Sequence, residues 1–233
     1  MATLDRMDIR LRSLHLLEGQ RLGQRLFAHV ISSRVIMAGR SEGEVNDRIS
    51  VIAQEVFGAR AGLVERRFVR SGPNTAVAGQ GPDRVIDAQD VVVLDFEPLL
   101  APYETGFART VAVGDGPARR RLVHDLAVVA TAAGEAFRAD TAITGRALHA
   151  EVQAVAATAD RRLGAWHIGR LTGTAPATRA EATMHEAFIS PENTRPLRRT
   201  LEEGWRAHWI LEIRLVDECT GHAAVHTELL DLV

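Results

Sequence analysis

Asp95 closes the apolar run VVVL, and Glu212 interrupts the strand-like segment HWILEIRLV. A carboxylate set in an apolar strand costs free energy unless a cation or a set of hydrogen bonds offsets its desolvation. Both stand out for that reason, with a turn cap at a strand end as the alternative for Asp95 and a solvent-facing strand position as the alternative for Glu212. Two histidines join them: His185 beside Glu186 in MHEAF, with an ordinary surface pair as the alternative, and His226 alternating with Val225 and Thr227 in the closing strand-like run, with a satisfied core histidine as the alternative. Imidazole titrates near neutrality, so either can act as general acid or base where Asp95 or Glu212 fixes its tautomer. Arg170 and Arg109 supply permanently charged planar forks that match a carboxylate or an oxyanion. The chemistry these types support is general acid–base catalysis by His226, His185, Glu212 and Asp95, with Arg170 and Arg109 binding substrate. Asp95, Glu212 and His226 also form an oxygen and imidazole set of the kind that holds one manganese, iron or zinc ion.

The elements that must position these side chains are readable in outline. Leu14, Leu17, Leu22, Leu26, Val30 and Ile31 predict a helix within residues 14 to 38, and Val45, Ile49, Ile52 and Val56 predict a second. Ser41 with Glu44 three residues on reads as a capping box opening that second helix. Strand signals follow in LVERRFV and VVVLDF, separated by a Gly and Pro rich loop around residues 71 to 82, and again in FARTVAV. After the turn GDGP, helices are expected near residues 117 to 138 and 145 to 159, and then strands and loops to the end. The order of two helices then strands, stated twice, suggests a duplicated half. Similarity between the halves is too low to read as a repeat.

Composition narrows the function classes. The 233 residues carry 28 basic and 30 acidic side chains for a net charge of −2, with no like-charge block longer than Arg119, Arg120, Arg121. No nucleic-acid partner is expected from that distribution. Cys219 is the single cysteine, which excludes an intrachain disulfide and a thiolate zinc site within the chain. A reducing, cytoplasmic setting is the expectation, since MATLDRMDIRLR offers no apolar signal core. No apolar run approaches the roughly 18 to 20 residues needed to span a bilayer, so no membrane partner is expected.

Several motifs together resemble the creatinase, prolidase and methionine aminopeptidase family. VVVLDFEPLLAPYETGFART resembles the family's strand pair, in which an aspartate closes an apolar strand and a Tyr-x-x-Asp-x-x-Arg-Thr run supplies a second aspartate eleven residues later; that position here is Gly106. SGPNTAVAGQGPDRV resembles a substrate-contacting loop at Asn74 and Pro82, with Gly79 in its histidine slot. WHIGRLTG resembles Gly-His-x-x-Gly with Arg170 in the place of a histidine ligand, and a slip of alignment would bring His167 to that place instead. MHEAF resembles the family's His-Glu pair. LEEGWRAHWILEI and GHAAVHTELLDLV resemble the last two strands, whose glutamate ligands would fall on Glu212 and, fourteen residues later, His226.

The resemblance implies a single α+β domain over residues 1 to 233 with the pita-bread fold, a curved antiparallel sheet backed by helices in pseudo-twofold halves. It implies that Tyr103 and Asn74 join Arg170 and Arg109 as substrate-binding residues. Of five family metal ligands only Asp95 and Glu212 remain, and a buried guanidinium beside a divalent ion would cost several kcal/mol. Arg170 thus reads as a replacement for the metal, and no cofactor is expected, with one Mn, Fe or Zn ion as the alternative. The implied activity is a metal-independent, creatinase-like hydrolysis of a C–N bond in a small molecule. A non-catalytic binding protein and a single-metal hydrolase are the alternatives. Trp205 and Trp209, near a presumed sheet edge, allow a homodimer as well as core packing.

Overall fold

Leu16, Leu26 and Val30 recur at helical spacing and are buried, which draws Arg6–Ser32 into helix α1 against the rest of the molecule. Helix α2 spans Glu42–Phe57 and starts where the capping box predicts: Ser41 Oγ accepts from the Glu44 amide at 3.1 Å, and the Ser41 amide donates to Glu44 at 2.8 Å. The computed structural model describes residues 6–58, 68–77, 81–100, 105–172, 185–201 and 204–232. The LVERRFV strand signal falls mostly outside these; its end joins strand β1, Val69–Ser71.

Strands β2 (Val91–Asp95) and β3 (Ala108–Ala112) flank the short helix α3 (Glu97–Leu100). Helices α4 (Pro117–Ala139) and α5 (Gly145–Thr158) follow, then β4 (Arg162–Leu163), β5 (Gly169–Leu171), β6 (Trp209–Asp217) and β7 (His222–Leu229). The seven described strands form one antiparallel sheet in the order β1-β2-β3-β7-β6-β4, with β5 also on β6. Each half contributes two helices and a set of strands, and β3 meets β7 at the seam between them. This is the expected α+β arrangement, an antiparallel sheet backed by helices.

Period-two alternation decides which side chains see the helices. Val92 and Leu94 pack with residues of α1 and α2, while Leu211, Ile213 and Leu215 pack with α4 and α5. The opposite face carries Asp95, Glu212 and Arg214 over an apolar floor of Val93, Ala108 and Val225. Trp209 is fully buried and its Nε1 donates to the Leu197 carbonyl at 2.9 Å, so this tryptophan belongs to the core. Trp205 is half-buried, with the Arg12 guanidinium 5.4 Å from its ring. Among the described residues no helix is long and apolar enough to cross a membrane.

Candidate active site

The face of Asp95 and Glu212 concentrates charge at the seam, with Leu16 of α1 packed on its Ile210 and Leu229 end. Asp95 ends β2 directly opposite Ala108, which places it at the edge of the floor. Glu212 lies on β6 opposite Thr227 of β7. Arg170, on β5 opposite Ile210, reaches both Glu212, through Nε at 2.6 Å, and Glu97 of α3, through Nη2. Gly106 faces the same group: a Cβ there would stand 3.1 Å from Thr227 Cγ2 and 3.8 Å from Arg170 Nη2. Two further arginines complete the set. Arg70 Nη2 lies 3.6 Å from Asp95, and Arg214 Nη1 donates to the Thr75 carbonyl at 2.7 Å across the cleft. Among the described residues the face holds three arginines, Arg70, Arg170 and Arg214, against three carboxylates, Asp95, Glu97 and Glu212. Their charges balance when Glu212 is ionised.

The proton affinities follow from this packing. Burial would lower the Arg170 pKa, but Glu212 and Glu97 outweigh it and raise it, so the guanidinium stays charged. Burial pushes Glu212 up to about 7; Arg170 pulls down, and the charges of Glu97 and Asp95 push up again. His167 stands beside it, Nδ1 3.8 Å from Glu212 Oε2, with its ring edge-on to Trp166 at 4.8 Å and tilted on Phe188 at 4.7 Å. Burial, then the charges of Arg170 and His149, depress His167 to about 4, so its ring is neutral at pH 7.

The structure corrects three positions expected from the sequence. Register places Thr227, not His226, opposite Glu212, because one residue along a strand turns the side chain to the other face. His226 lies on the helix-covered face with Nε2 3.2 Å from Glu228, and the set Asp95, Glu212 and His226 cannot share an ion across the sheet. Arg109 is on that same far side, where it pairs with Glu228, donates to the Thr227 carbonyl at 2.8 Å and lies over the Phe107 ring at 4.2 Å. This is an ion pair across the seam, the structural role that the resemblance also implies for this arginine. Asn74 is buried and donates to both oxygens of Glu42, at 3.1 and 3.0 Å, and to the Pro82 carbonyl at 2.9 Å, so it fastens its loop to α2.

His185 sits in an exposed single turn, His185–Ala187, with Glu186 paired to Arg195 at 2.7 Å. Tyr103 and Gly79 lie outside the described residues. Sequence reading brought Asp95, Glu212 and Arg170 together correctly as neighbours of one face. It passed over Glu97, Arg70 and Arg214. The alternation of Arg214 with Glu212 in ILEIRLV was the one available signal for any of these.

The residues present do not fit a metal pair. The Arg170 guanidinium is bonded to Glu212, Gly106 offers no donor, and Thr227, opposite Glu212, brings only a hydroxyl. Among the described residues no group of three His, Cys, Asp or Glu side chains is arranged to hold an ion.

Comparison with known proteins gives the lineage of this arrangement. The model for metallopeptidase family M24 matches residues 15–204. Among solved structures, a prolidase from Thermococcus sibiricus superposes with a TM-score of 0.67 at 19% identity, covering 97% of this chain and 57% of its own. An X-Pro aminopeptidase from Thermotoga maritima MSB8 gives 0.66 at 17% identity, covering 97% and 61%. A methionine aminopeptidase from Rickettsia prowazekii gives 0.61 at 12% identity, covering 98% and 93%. The chain thus spans about three-fifths of the length of the first two. No curated protein matches the sequence significantly.

Proposed function

Since the chain belongs to metallopeptidase family M24 and its cleft is centred on a guanidinium, we propose that it is a hydrolase-type member that cleaves a C–N bond in a small molecule by general acid–base catalysis, without a divalent metal. The observation that carries this reading is the Arg170 fork shared between Glu212 and Glu97. Glu212, poised at about 7, populates both protonation states at neutral pH, which is what a proton carrier needs. As carboxylate it takes a proton from water as the water oxygen adds to the substrate carbon. As carboxylic acid it returns that proton to the departing nitrogen while the C–N bond breaks. Arg170 holds Glu212 in place, and the Arg70 guanidinium is available to the developing oxyanion. His226 has no part in this route, because it faces away from the cleft.

A second reading, ligand binding without turnover, is favoured by one specific fact. The Arg170 fork is already engaged by two carboxylates, which stabilises the resting arrangement. Amine release from a panel of small amides, ureas, guanidino compounds and X-Pro dipeptides separates the readings, measured with EDTA and with added manganese. The expected result is turnover indifferent to both additions and abolished in Glu212→Gln. Turnover that requires added metal overturns the proposal. Binding without turnover in every arm selects the second reading.

A further inference from the structure

The hairpin of β6 and β7 ends in a second polar cluster. Its register pairs Ile210 with Leu229, and two places further on the same count brings His208 opposite Asp231. Helix α1 crosses this end: Leu16 packs on Ile210 and Leu229, and Gln20 Oε1 accepts from the Leu229 amide at 3.1 Å. Ser13 lies one turn before Leu16, so it stands on the same stripe of the helix. Ser13 Oγ is 3.2 Å from His208 Nε2, and His208 Nδ1 is 2.7 Å from Asp231 Oδ2. The other Asp231 oxygen accepts from the Trp209 amide at 3.1 Å, which fixes the carboxylate. A second strut ties the same segments: Arg12 Nη2 donates to the Thr172 carbonyl at 3.2 Å, and the Thr172 amide donates to the His208 carbonyl at 2.9 Å.

Asp231 decides the tautomer. A carboxylate can only accept, so His208 carries its proton on Nδ1, and the neutral ring turns a lone pair at Nε2 towards the Ser13 hydroxyl. Ser13 keeps partial exposure whereas the His208 and Asp231 side chains are each 3% exposed, so the hydroxyl can meet a ligand while the base behind it is sheltered from water. We propose that Ser13, His208 and Asp231 form a nucleophilic acyl-transfer site for esters. Ser13 Oγ bonds to the ester carbonyl carbon as its proton passes to His208 Nε2, and Asp231 stabilises the imidazolium. That proton then goes to the leaving alcohol oxygen as the ester C–O bond breaks. Water, giving a proton to His208 in turn, adds to the acyl carbon; the acyl group leaves as a carboxylic acid and the serine hydroxyl is restored. His208 and Glu212 stand four residues apart along one strand line, roughly 13 Å. The site is therefore separate from the cleft, and failure of the hydrolase reading above leaves it untouched.

Labelling the intact chain with a fluorophosphonate tests it, since phosphorus takes the place of the ester carbonyl carbon and fluoride that of the alcohol. Peptide mapping should find the adduct on Ser13. In Cys219→Ser, which removes the exposed thiol, that label should also stop release of nitrophenol from p-nitrophenyl acetate. His208→Gln should slow labelling at least about a hundredfold. Asp231→Asn should slow it comparably: with its oxygen held by the Trp209 amide, the asparagine NH2 faces Nδ1, moves the ring proton to Nε2 and removes the acceptor. A network that only fastens α1 to the hairpin gives no adduct on Ser13, or equal rates in wild type, both variants and the urea-denatured chain; either result overturns the site. Nitrophenol release unaffected by the label overturns it as well. The wild-type adduct, absent after urea denaturation, stands even if a variant fails to fold.

Discussion

One residue of offset separates Thr227 in the cleft from His226 beneath it, and it decides which chemistry each can do. On the far face, burial pushes the Glu228 carboxyl upward, but the His226 contact and the permanent charge of Arg109 prevail and hold it at about 2, below the usual 4.5. A depressed carboxylate stabilises the fold above pH 4.5, and that contribution is lost as pH falls from 4.5 towards 2. Glu212 has the opposite sign. Its raised pKa makes its contribution complete below 4.5 and lost as pH rises through about 7. Glu228→Gln should therefore flatten the acid limb of a pH–stability curve, removing on the order of 1–3 kcal/mol of its fall between pH 4.5 and 2 after allowance for partial exposure. An unchanged acid limb, measured by urea denaturation at each pH, would show that His226 and Arg109 do not hold that charge.

At the scale of elements, what was legible in the sequence was periodic. The helical spacing of α1 and α2, the capping box at Ser41 and the apolar run of β2 are local signals, although α1 runs Arg6–Ser32 and not to residue 38. Asp95 and Glu212 were legible for the same reason, each standing out in an apolar strand. Pairing register was not legible. It depends on which residue of β7 meets which of β6, a long-range choice that spacing along one strand does not contain. Glu42 was equally hidden, an acidic first-turn residue of α2 that is buried and accepts from the Ser71 amide at 2.6 Å, Ser71 Oγ at 2.8 Å and Asn74. Asn74→Ala leaves one oxygen of that buried carboxylate without its described donor, at a cost of about 1–3 kcal/mol. Chemical denaturation should register that loss, and a neutral result would mean the loop is not anchored through Glu42.

The whole molecule is two half-cores joined along one seam. The core of α1, α2, β1 and β2 and the core of α4, α5 and β6 are largely separate clusters, and β3 with β7 connects them. Thr110 fastens that seam twice, donating to the Val225 carbonyl at 2.9 Å and accepting from the Val225 amide at 2.7 Å. Thr110→Val keeps the shape and removes both bonds, so it should cost about 1–3 kcal/mol and broaden the unfolding transition as the halves uncouple. An unaltered, equally steep transition would place the coupling elsewhere. The cleft lies along the same seam, so its charges are held in place by the packing of both halves.

The claim on which the rest depends is that the Arg170 guanidinium supplies, between Glu212 and Glu97, the positive charge that divalent ions would bring to this scaffold. Metal content measured on chain purified without chelator and equilibrated with excess manganese and zinc tests it most directly. The account predicts less than about a tenth of an equivalent bound. One or two ions per chain, lost on Asp95→Asn or Glu212→Gln, would contradict it.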